Sequence, residues 1–381
     1  ELITLLAGRR SVTRLLLSHN RLNDDGCSRL FEYLCSEEGK KHPVAEISLN
    51  SNLIGDEGLR AIARYLKGNG TLKSLFIHNN SFSFEPETAR LFSEALNTSQ
   101  LRALYLSNNP SISDDSLANL LPLLSSTYLR ELQLSVTRIT SASGPLICKY
   151  IHSPSFRLET LKLNGNSLGL SVLKEIVETI KERNHTLTHV EMSANTVEED
   201  EKPKEAWKEV DAALKVVLKR NQLMRDRVGR DAQRLLRYSR VVLLPTTGGD
   251  STTPKSDEGR RHLPVEIQLQ ILSHLSPTLS PAQRIRVFEY ASDRTKLPSL
   301  ALPSLKGTNK SWAAQCVPDP TAVGAFPPVQ PDHGGCAGGK CMGVGNSVSC
   351  RREGERLKWL GVVGCEFYDS CGNGVGLEGV L

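Results

Sequence analysis

The stretch LKSLFIHNNSF, residues 72–82, sets apolar side chains at Leu72, Leu75, Ile77 and Phe82 and an asparagine at position 80. Neither a helical period nor the plain alternation of a strand accounts for that spacing. It returns six more times, as VTRLLLSHNRL (12–22), VAEISLNSNLI (44–54), LRALYLSNNPSI (101–112), LRELQLSVTRI (129–139), LETLKLNGNSL (158–168) and LTHVEMSANTV (187–197). Each reads L-x-x-L-x-L-x-x-N-x-L. The fourth positions (Leu15, Ile47, Leu75, Leu104, Leu132, Leu161 and Val190) recur every 28 to 32 residues, and a period of that length marks a repeat array. Between the units lie DEGLRAIARYLKGN (56–69), PETARLFSEALN (86–97), DDSLANLLPLLS (114–125) and SVLKEIVETIKERN (171–184), whose apolar residues recur at helical spacing. Each repeat is predicted to be one strand followed by one helix.

A chain that turns out of a strand and back over a core leaves backbone N–H and C=O groups without ladder partners, and a short amide side chain can satisfy them. Asn20, Asn52, Asn80, Asn109, Asn166 and Asn195 are therefore expected to stack into a structural ladder. Thr137 takes the asparagine's place in the fifth repeat. It supplies only a hydroxyl, which predicts local loosening without a break.

Repeats of this length, with segments such as IGDEGLRAIARYL leading into GTLKSLFIHNN, resemble the ribonuclease-inhibitor type of leucine-rich repeat over residues 12–197. The resemblance implies an α/β fold: a curved solenoid of seven repeats within residues 1–197, parallel sheet inside and helices outside. It implies little about function, because that class includes ribonuclease inhibitors, GTPase activators for Ran, actin-capping proteins and ligase substrate receptors.

Strand alternation names the side chains that point away from the core. The middle column reads Leu16, Ser48, Phe76, Tyr105, Gln133, Lys162 and Glu191; flanking positions add Arg14, Glu46, Asn50, His78, Glu131, Asn164 and His189. Phe76 and Tyr105 fall on neighbouring strands beside Leu16 and His78, an aromatic pair among polar groups of the kind that anchors protein contacts. No Ser/His/Asp or Cys/His arrangement falls on this face, so binding is expected there and catalysis is not. His78 and His189 lie four repeats apart, and strands about 4.8 Å apart keep them from acting together.

The 381 residues are 39% hydrophobic and 23% charged with a net charge of +5. Those values describe a soluble globular protein with room for more than one unit, and the mild charge does not by itself imply nucleic acid. No run of 18 uncharged apolar residues suggests a membrane span. The chain starts at Glu1 instead of Met, which reads as incomplete or processed. Nine cysteines, an odd number with six of them beyond position 315, favour reduced thiols. A monomer in cytoplasm or nucleus is expected.

Past residue 197 the repeat stops. The acidic run EEDEKPKE leads into a helical stretch from Ala206 to about Tyr238, with Trp207, Val210, Leu214 and Val217 on one face, and an exposed solenoid end needs such a cap (198–244). From Lys215 to Arg240 nine Lys or Arg stand against Asp226 and Asp231. A basic helix can meet nucleic acid, an anionic membrane or an acidic partner; without aromatic interleaving, a solvated outer face is the expectation and nucleic acid is not. Residues 245–262, rich in Gly, Ser, Thr and Pro, read as a linker.

The segment LPVEIQLQILSHLSPTLSPAQRIRVFEYASDRTKLPSL (263–300) resembles the opening of an F-box. Leu263, Pro264, Ile267, Ile271, Leu272 and Leu275 match its first helix, and Val287 falls near the family's second-helix valine. The tryptophan expected a few residues on is missing, and F-boxes usually precede their repeats. The resemblance implies docking to the adaptor of a cullin-RING ubiquitin ligase; the residues alone equally describe a helical hairpin packed on its own. In the Gly- and Cys-rich tail (301–381), four, eight and fourteen residues separate Cys336, Cys341, Cys350 and Cys365. Even with His333 nearby this is no C-x-x-C zinc knuckle, and neither metal nor cofactor is expected. The tail is predicted to be mostly disordered with one short helix, REGERLKWLGVVG.

The expected function is a non-enzymatic scaffold that binds a protein partner on the concave face, acting as a ubiquitin-ligase substrate receptor if the F-box resemblance holds. The alternative, a Ran-type GTPase activator, is implied by the same repeat class. Its usual acidic segment shrinks here to eight residues, and no catalytic residue carries over.

Overall fold

The computed structural model describes residues 2–196, 204–244, 263–296 and 348–369. The acidic run up to position 203, the linker, and His333, Cys316, Cys336, Cys341 and Cys371 lie outside the described residues, as does the side chain of Cys350. Two units divide the chain, Glu1–Asn221 and Gln222–Leu381.

In the first unit, seven three-residue strands carry the repeat motif: β1 (Arg14–Leu16), β2 (Glu46–Ser48), β3 (Ser74–Phe76), β4 (Ala103–Tyr105), β5 (Glu131–Gln133), β6 (Thr160–Lys162) and β7 (His189–Glu191). They form one parallel sheet in chain order. Its register sets Leu15, Ile47, Leu75, Leu104, Leu132, Leu161 and Val190 in a single row, every one of them buried. Parallel neighbours need a crossover, usually helical. Here it is supplied by α2 (Asn23–Cys35), α3 (Asp56–Leu66), α4 (Pro86–Thr98), α5 (Asp114–Leu120), α6 (Gly144–Ile151) and α7 (Gly169–Arg183), after a short α1 (Leu2–Ala7) whose Leu6 joins the core. α5 is short because Pro122 follows it within a 3-10 turn, Leu121–Leu123, and a proline cannot donate the next helical hydrogen bond. The predicted α/β leucine-rich repeat solenoid is the fold observed. Between the third and fourth repeats Phe82, Phe84 and Phe92 meet edge to face at 5.5 and 5.7 Å, each such pair contributing about 0.5–1.5 kcal/mol beyond area burial.

The asparagines bridge successive turns. Asn80 Oδ1 accepts from the amides of Asn52 and Ile54, and its Nδ2 donates to the carbonyls of Leu49, Ile77 and His78, all at 3.1 Å. Asn52, Asn109, Asn166 and Asn195 make equivalent bonds between neighbouring repeats. Asn20 stands apart: it is exposed and donates to Ser18 O. Thr137 Oγ1 is within reach of Asn166 Oδ1 and Leu134 O, so its single proton cannot also serve the preceding repeat. A second set of bridges was overlooked in the sequence. Asp24 accepts from the amides of Gly55 and Gly58, Asp56 from Ser83 and Glu85, and Asp114 from Thr140 N and Oγ1. These carboxylates start the pattern D-[DE]-[GS] at residues 24, 56 and 114, a signal that was there to be read.

The position before each ladder residue takes a left-handed backbone: His19, Ser51, Asn79, Asn108, Val136, Gly165 and Ala194 all have φ between 54° and 67° or close below it, Asn79 at 52°. Val136, at φ 54°, is the one β-branched residue among them, and that geometry is strained for a branched side chain. Replacing this exposed valine by asparagine, Val136→Asn, is expected to raise the unfolding free energy by about 1 kcal/mol, read as a higher urea midpoint at unchanged m-value. An unchanged or lowered midpoint would count against strain at this turn.

α8 (Lys204–Leu243) lies within the predicted cap and is longer than the helical stretch expected from Ala206 to about Tyr238. Its first half belongs to the first unit, where Val210, Leu214 and Val217 join the solenoid core and Trp207 packs against it. Its second half lies in the second unit with α9 (Val265–His274), α10 (Pro281–Ser292) and α11 (Val348–Val362). There Val228, Leu235, Leu272, Val287, Trp359 and Leu360 form a separate core. Ser280 and Gln283 close a capping box on α10, and Gln283 Nε2 donates to the carbonyls of Gly364 and Phe367. Within the tail, the short helix expected at REGERLKWLGVVG falls in α11, and Trp359, Val363 and Tyr368 of the described residues 348–369 pack into this core. Cys365 is buried with them, and burial pushes its thiol up to about 12. That disfavours the thiolate zinc requires. The basic run of α8 is likewise not wholly a solvated face. Arg225 lies 6.0 Å from the Phe367 ring, and Arg240 donates to Lys296 O and lies 5.9 Å from the Tyr290 ring.

Candidate partner-binding faces

Three-residue strands expose their first and third side chains on the sheet's open face, and parallel pairing aligns like positions across it. The register places Leu16, Ser48, Phe76, Tyr105, Gln133, Lys162 and Glu191 side by side. Leu16 is 60% exposed, whereas Ser48 is only 8% exposed, its hydroxyl 2.9 Å from that of Ser18. Ser48 thus departs from the expected exposed column: two large neighbours overshadow a small side chain.

Phe76 and Tyr105 stack face to face, ring centroids 4.1 Å apart and planes 4° from parallel. The His78 ring lies 6.3 Å from Phe76 and 5.8 Å from Tyr105. Burial lowers the His78 pKa, so the imidazole is neutral at pH 7. Tyr105 donates its hydroxyl proton to Glu131 Oε2 at 3.1 Å, and Gln133 Nε2 donates to Glu131 Oε1 at 2.7 Å. Burial, and then the charges of Glu131 and Glu46, push the Tyr105 phenol up to about 12. Three half-buried rings are in this way locked in one orientation, which lowers the entropy lost when a partner orders them.

Toward the last repeat the face is polar and internally paired. Lys162 Nζ and His189 Nε2 lie 2.7 and 2.8 Å from Glu191 Oε1, and Asn164 Nδ2 donates to Oε2 at 2.7 Å. Bonds from Lys162 and His189 bring the Glu191 carboxyl down to about 2. At the first repeat Arg14 pairs with Glu46 at 2.8 Å. His78 and His189 sit in different clusters.

The second unit presents a different kind of surface. On α9 and the residue pair before it, Leu263, Ile267 and Ile271 are 50%, 42% and 51% exposed and recur every four residues, along one helical face. Pro264 is exposed beside them. Leu272 points the other way into the core and Leu275 packs against that core, so those two of the six F-box-like positions do not belong to the open edge. Among the described residues no cluster of His, Cys, Asp and Glu could hold a metal ion, and no helix is long and apolar enough to cross a membrane.

Comparison with known proteins agrees with the repeat. Residues 10–31 and 42–63 match the family model described as Leucine Rich repeat, so leucine-rich repeats are present in those stretches. It is 27% identical over 201 residues to the mouse (Mus musculus) Tonsoku-like protein, covering 51% of this chain and 14% of that protein. It is 28% identical over 202 residues to the human (Homo sapiens) NACHT, LRR and PYD domains-containing protein 12, covering 51% of this chain and 18% of the relative. The matched region thus spans less than a fifth of either relative's length. Among solved structures, actin-binding site 2 of Leiomodin-1 matches at 15% identity and a TM-score of 0.33, covering 44% of this chain and 90% of that one. The tropomodulin C-terminal domain from Caenorhabditis elegans matches at 16% identity and a TM-score of 0.24, covering 58% and 93%. The yeast Rad7 and Elc1 complex matches at 14% identity and a TM-score of 0.30, covering 51% and 53%. Likeness at that level carries no functional argument.

Proposed function

We propose that this protein is a non-enzymatic interaction module whose open sheet face grips a protein partner, with the stacked Phe76–Tyr105 pair as the anchor. The observation that carries this reading is the stack itself: two half-buried rings, oriented by Glu131 and flanked by His78, in the middle of a face lined elsewhere by paired polar groups. Large, pre-oriented aromatics dominate interface energetics, while exposed paired charges contribute little. The test is affinity purification of the full chain beside Phe76→Ala/Tyr105→Ala, with co-purifying proteins quantified by mass spectrometry. Loss of an anchor pair costs at least about 2 kcal/mol, so the main partner should fall more than tenfold. If every recovered partner stays at its original level, the reading is lost.

A second reading is supported by the exposed edge of Leu263, Ile267 and Ile271: the second unit docks the adaptor of a cullin-RING ubiquitin ligase, and the protein serves as a substrate receptor. Ile267→Glu/Ile271→Glu changes only exposed positions. Adaptor and cullin should co-purify with the parent chain and disappear from this variant. Their absence from both preparations would remove the ligase role and leave the concave-face reading intact.

A further inference from the structure

Surface cations on the helices are mostly neutralised within their own helix. Arg60 pairs with Glu57 on α3, Arg90 with Glu87 and Glu94 on α4, Lys181 with Glu178 on α7 and Lys215 with Asp211 on the first half of α8. The second half of α8 departs from this pattern. Arg227, Arg230, Arg234 and Arg237 follow one another three or four residues apart. At about 100° per residue they fall within an arc of about 80° on one helical face. Arg230, Arg234 and Arg237 are exposed and Arg227 is partly so.

The nearby carboxylates are engaged elsewhere. Asp226, one turn before Arg230, accepts from Gln222 Nε2 at 3.0 Å. Asp231 lies 3.6 Å from Arg234 but is buried, and its other oxygen accepts from the Thr278 amide and hydroxyl. Asp293 and Glu355 pair with Lys296 and Lys358 on their own segments. Among the described residues Arg227, Arg230 and Arg237 have no ion pair. Like charges at this spacing repel and weaken the helix that carries them, so the stripe is complementary to an anionic surface that covers it.

The ends of the stripe indicate what kind of anion. Leu223, four residues before Arg227, is 42% exposed, and Val241, four residues after Arg237, is 77% exposed. Both fall within the same arc. A nucleic-acid phosphate backbone offers no apolar contact to either. A membrane interface wants a continuous apolar face, whereas these two stand about 27 Å apart along the helix with four guanidinium groups between them. An acidic protein segment with apolar residues at its ends matches both features. All four cations are arginines, whose planar fork takes a carboxylate through two parallel bonds where lysine offers a point charge.

We infer that the arginine stripe of α8 is a docking surface for an acidic helical segment of a partner protein. The partner's carboxylates meet the guanidinium groups, and its apolar end residues meet Leu223 and Val241. The inference concerns the second unit and rests on neither reading of the proposed function.

The probe is a blocked, fluorescein-labelled alanine-based peptide with four glutamates spaced like the arginines and a leucine four residues beyond them at each end. Its binding to the full chain at low ionic strength is followed by fluorescence anisotropy. The same peptide with glutamine for glutamate, a short DNA duplex, a single-stranded RNA and phosphatidylserine vesicles are compared with it. The acidic peptide should bind saturably, and the glutamine peptide about tenfold more weakly, the effect of several exposed ion pairs together. Arg230→Gln/Arg237→Gln changes two exposed, unpaired positions and should weaken the acidic peptide about threefold or more. Its melting temperature should hold or rise, because a repulsion is removed. Arg230→Lys/Arg237→Lys should recover part of the binding, and Leu223→Ser/Val241→Ser should weaken it. Failure of the acidic peptide to bind, equal binding of the two peptides, or an affinity indifferent to the arginine substitutions would each overturn the inference. Tighter binding of the duplex, the RNA or the vesicles than of the peptide would overturn it too. So would a lower melting temperature in Arg230→Gln/Arg237→Gln, since the arginines would then serve the fold.

Discussion

Replacing Asn80 by alanine lowers the unfolding free energy of the repeat unit by about 3–5 kcal/mol, the result of leaving several buried backbone groups unmatched at about 1–3 kcal/mol each. Asn80 is buried, and its side chain serves two amides from the preceding repeat and three carbonyls. Alanine removes all of these bonds at a buried position. The control is Asn20→Ala, the same motif position in the first repeat. Asn20 is exposed and donates to one carbonyl, Ser18 O, so water substitutes for it and the change stays within about 0.5 kcal/mol. Urea titrations followed by far-UV circular dichroism compare the two. Equal losses at positions 80 and 20 would mean that the asparagines act through local turn propensity, and the inter-repeat ladder would then have no energetic weight.

Arg220→Met is expected to cost about 2–4 kcal/mol, a large effect for a residue in a run that reads as solvated. Its guanidinium donates to the carbonyls of Ile180, Lys181 and Asn184 at 3.2, 2.5 and 2.9 Å. They lie at the C-terminal end of α7, where Ile180 O also accepts from Asn184 N and Asn184 is the residue just past the helix, and a cation there suits the helix dipole. Arg220→Lys should recover only part of the loss, since a point charge cannot fork across three acceptors.

The same variant changes the acid sensitivity of the fold. Burial first, and then the Arg220 charge, pull the His185 pKa down to about 4 from 6.5. A histidine held neutral in the fold costs nothing above pH 6.5, where it is neutral in both states. Below 6.5 the unfolded chain takes up the proton first, so stability is lost progressively until about pH 4, where the folded state is protonated too. The melting midpoint should therefore fall between pH 7.5 and pH 5. In Arg220→Met the drop should shrink without vanishing, because burial is the larger cause. Scanning calorimetry at the two pH values for both proteins decides it. Identical drops would disconnect His185 from Arg220.

Much of the fold was legible because a repeat writes the same structural decision seven times. The apolar spacing determined the strands, the register row from Leu15 to Val190, the side of the sheet left open and the positions of the asparagines. It also named Phe76, His78 and Tyr105 as neighbours, since parallel pairing at a 28 to 29 residue period leaves no other arrangement. The D-[DE]-[GS] carboxylates at 24, 56 and 114 were equally visible but have no apolar periodicity to draw the eye.

What the sequence by itself determined, then, is the periodic part: an α/β leucine-rich repeat solenoid and the identity of the columns on its face. Only the tertiary structure decided which members of a column interact. Periodicity reports the position of a backbone, while the parallel stacking of Phe76 on Tyr105, the shading of Ser48 and the neutral partners of Glu131 depend on rotamers and on side-chain lengths in adjacent repeats. The same holds outside the repeats. At residues 348–369 the sequence showed one short helix, REGERLKWLGVVG, and the tertiary structure decided what it packs on: Trp359, Leu360, Val363 and Tyr368 join a core with Leu272 and Val287, more than seventy positions before them.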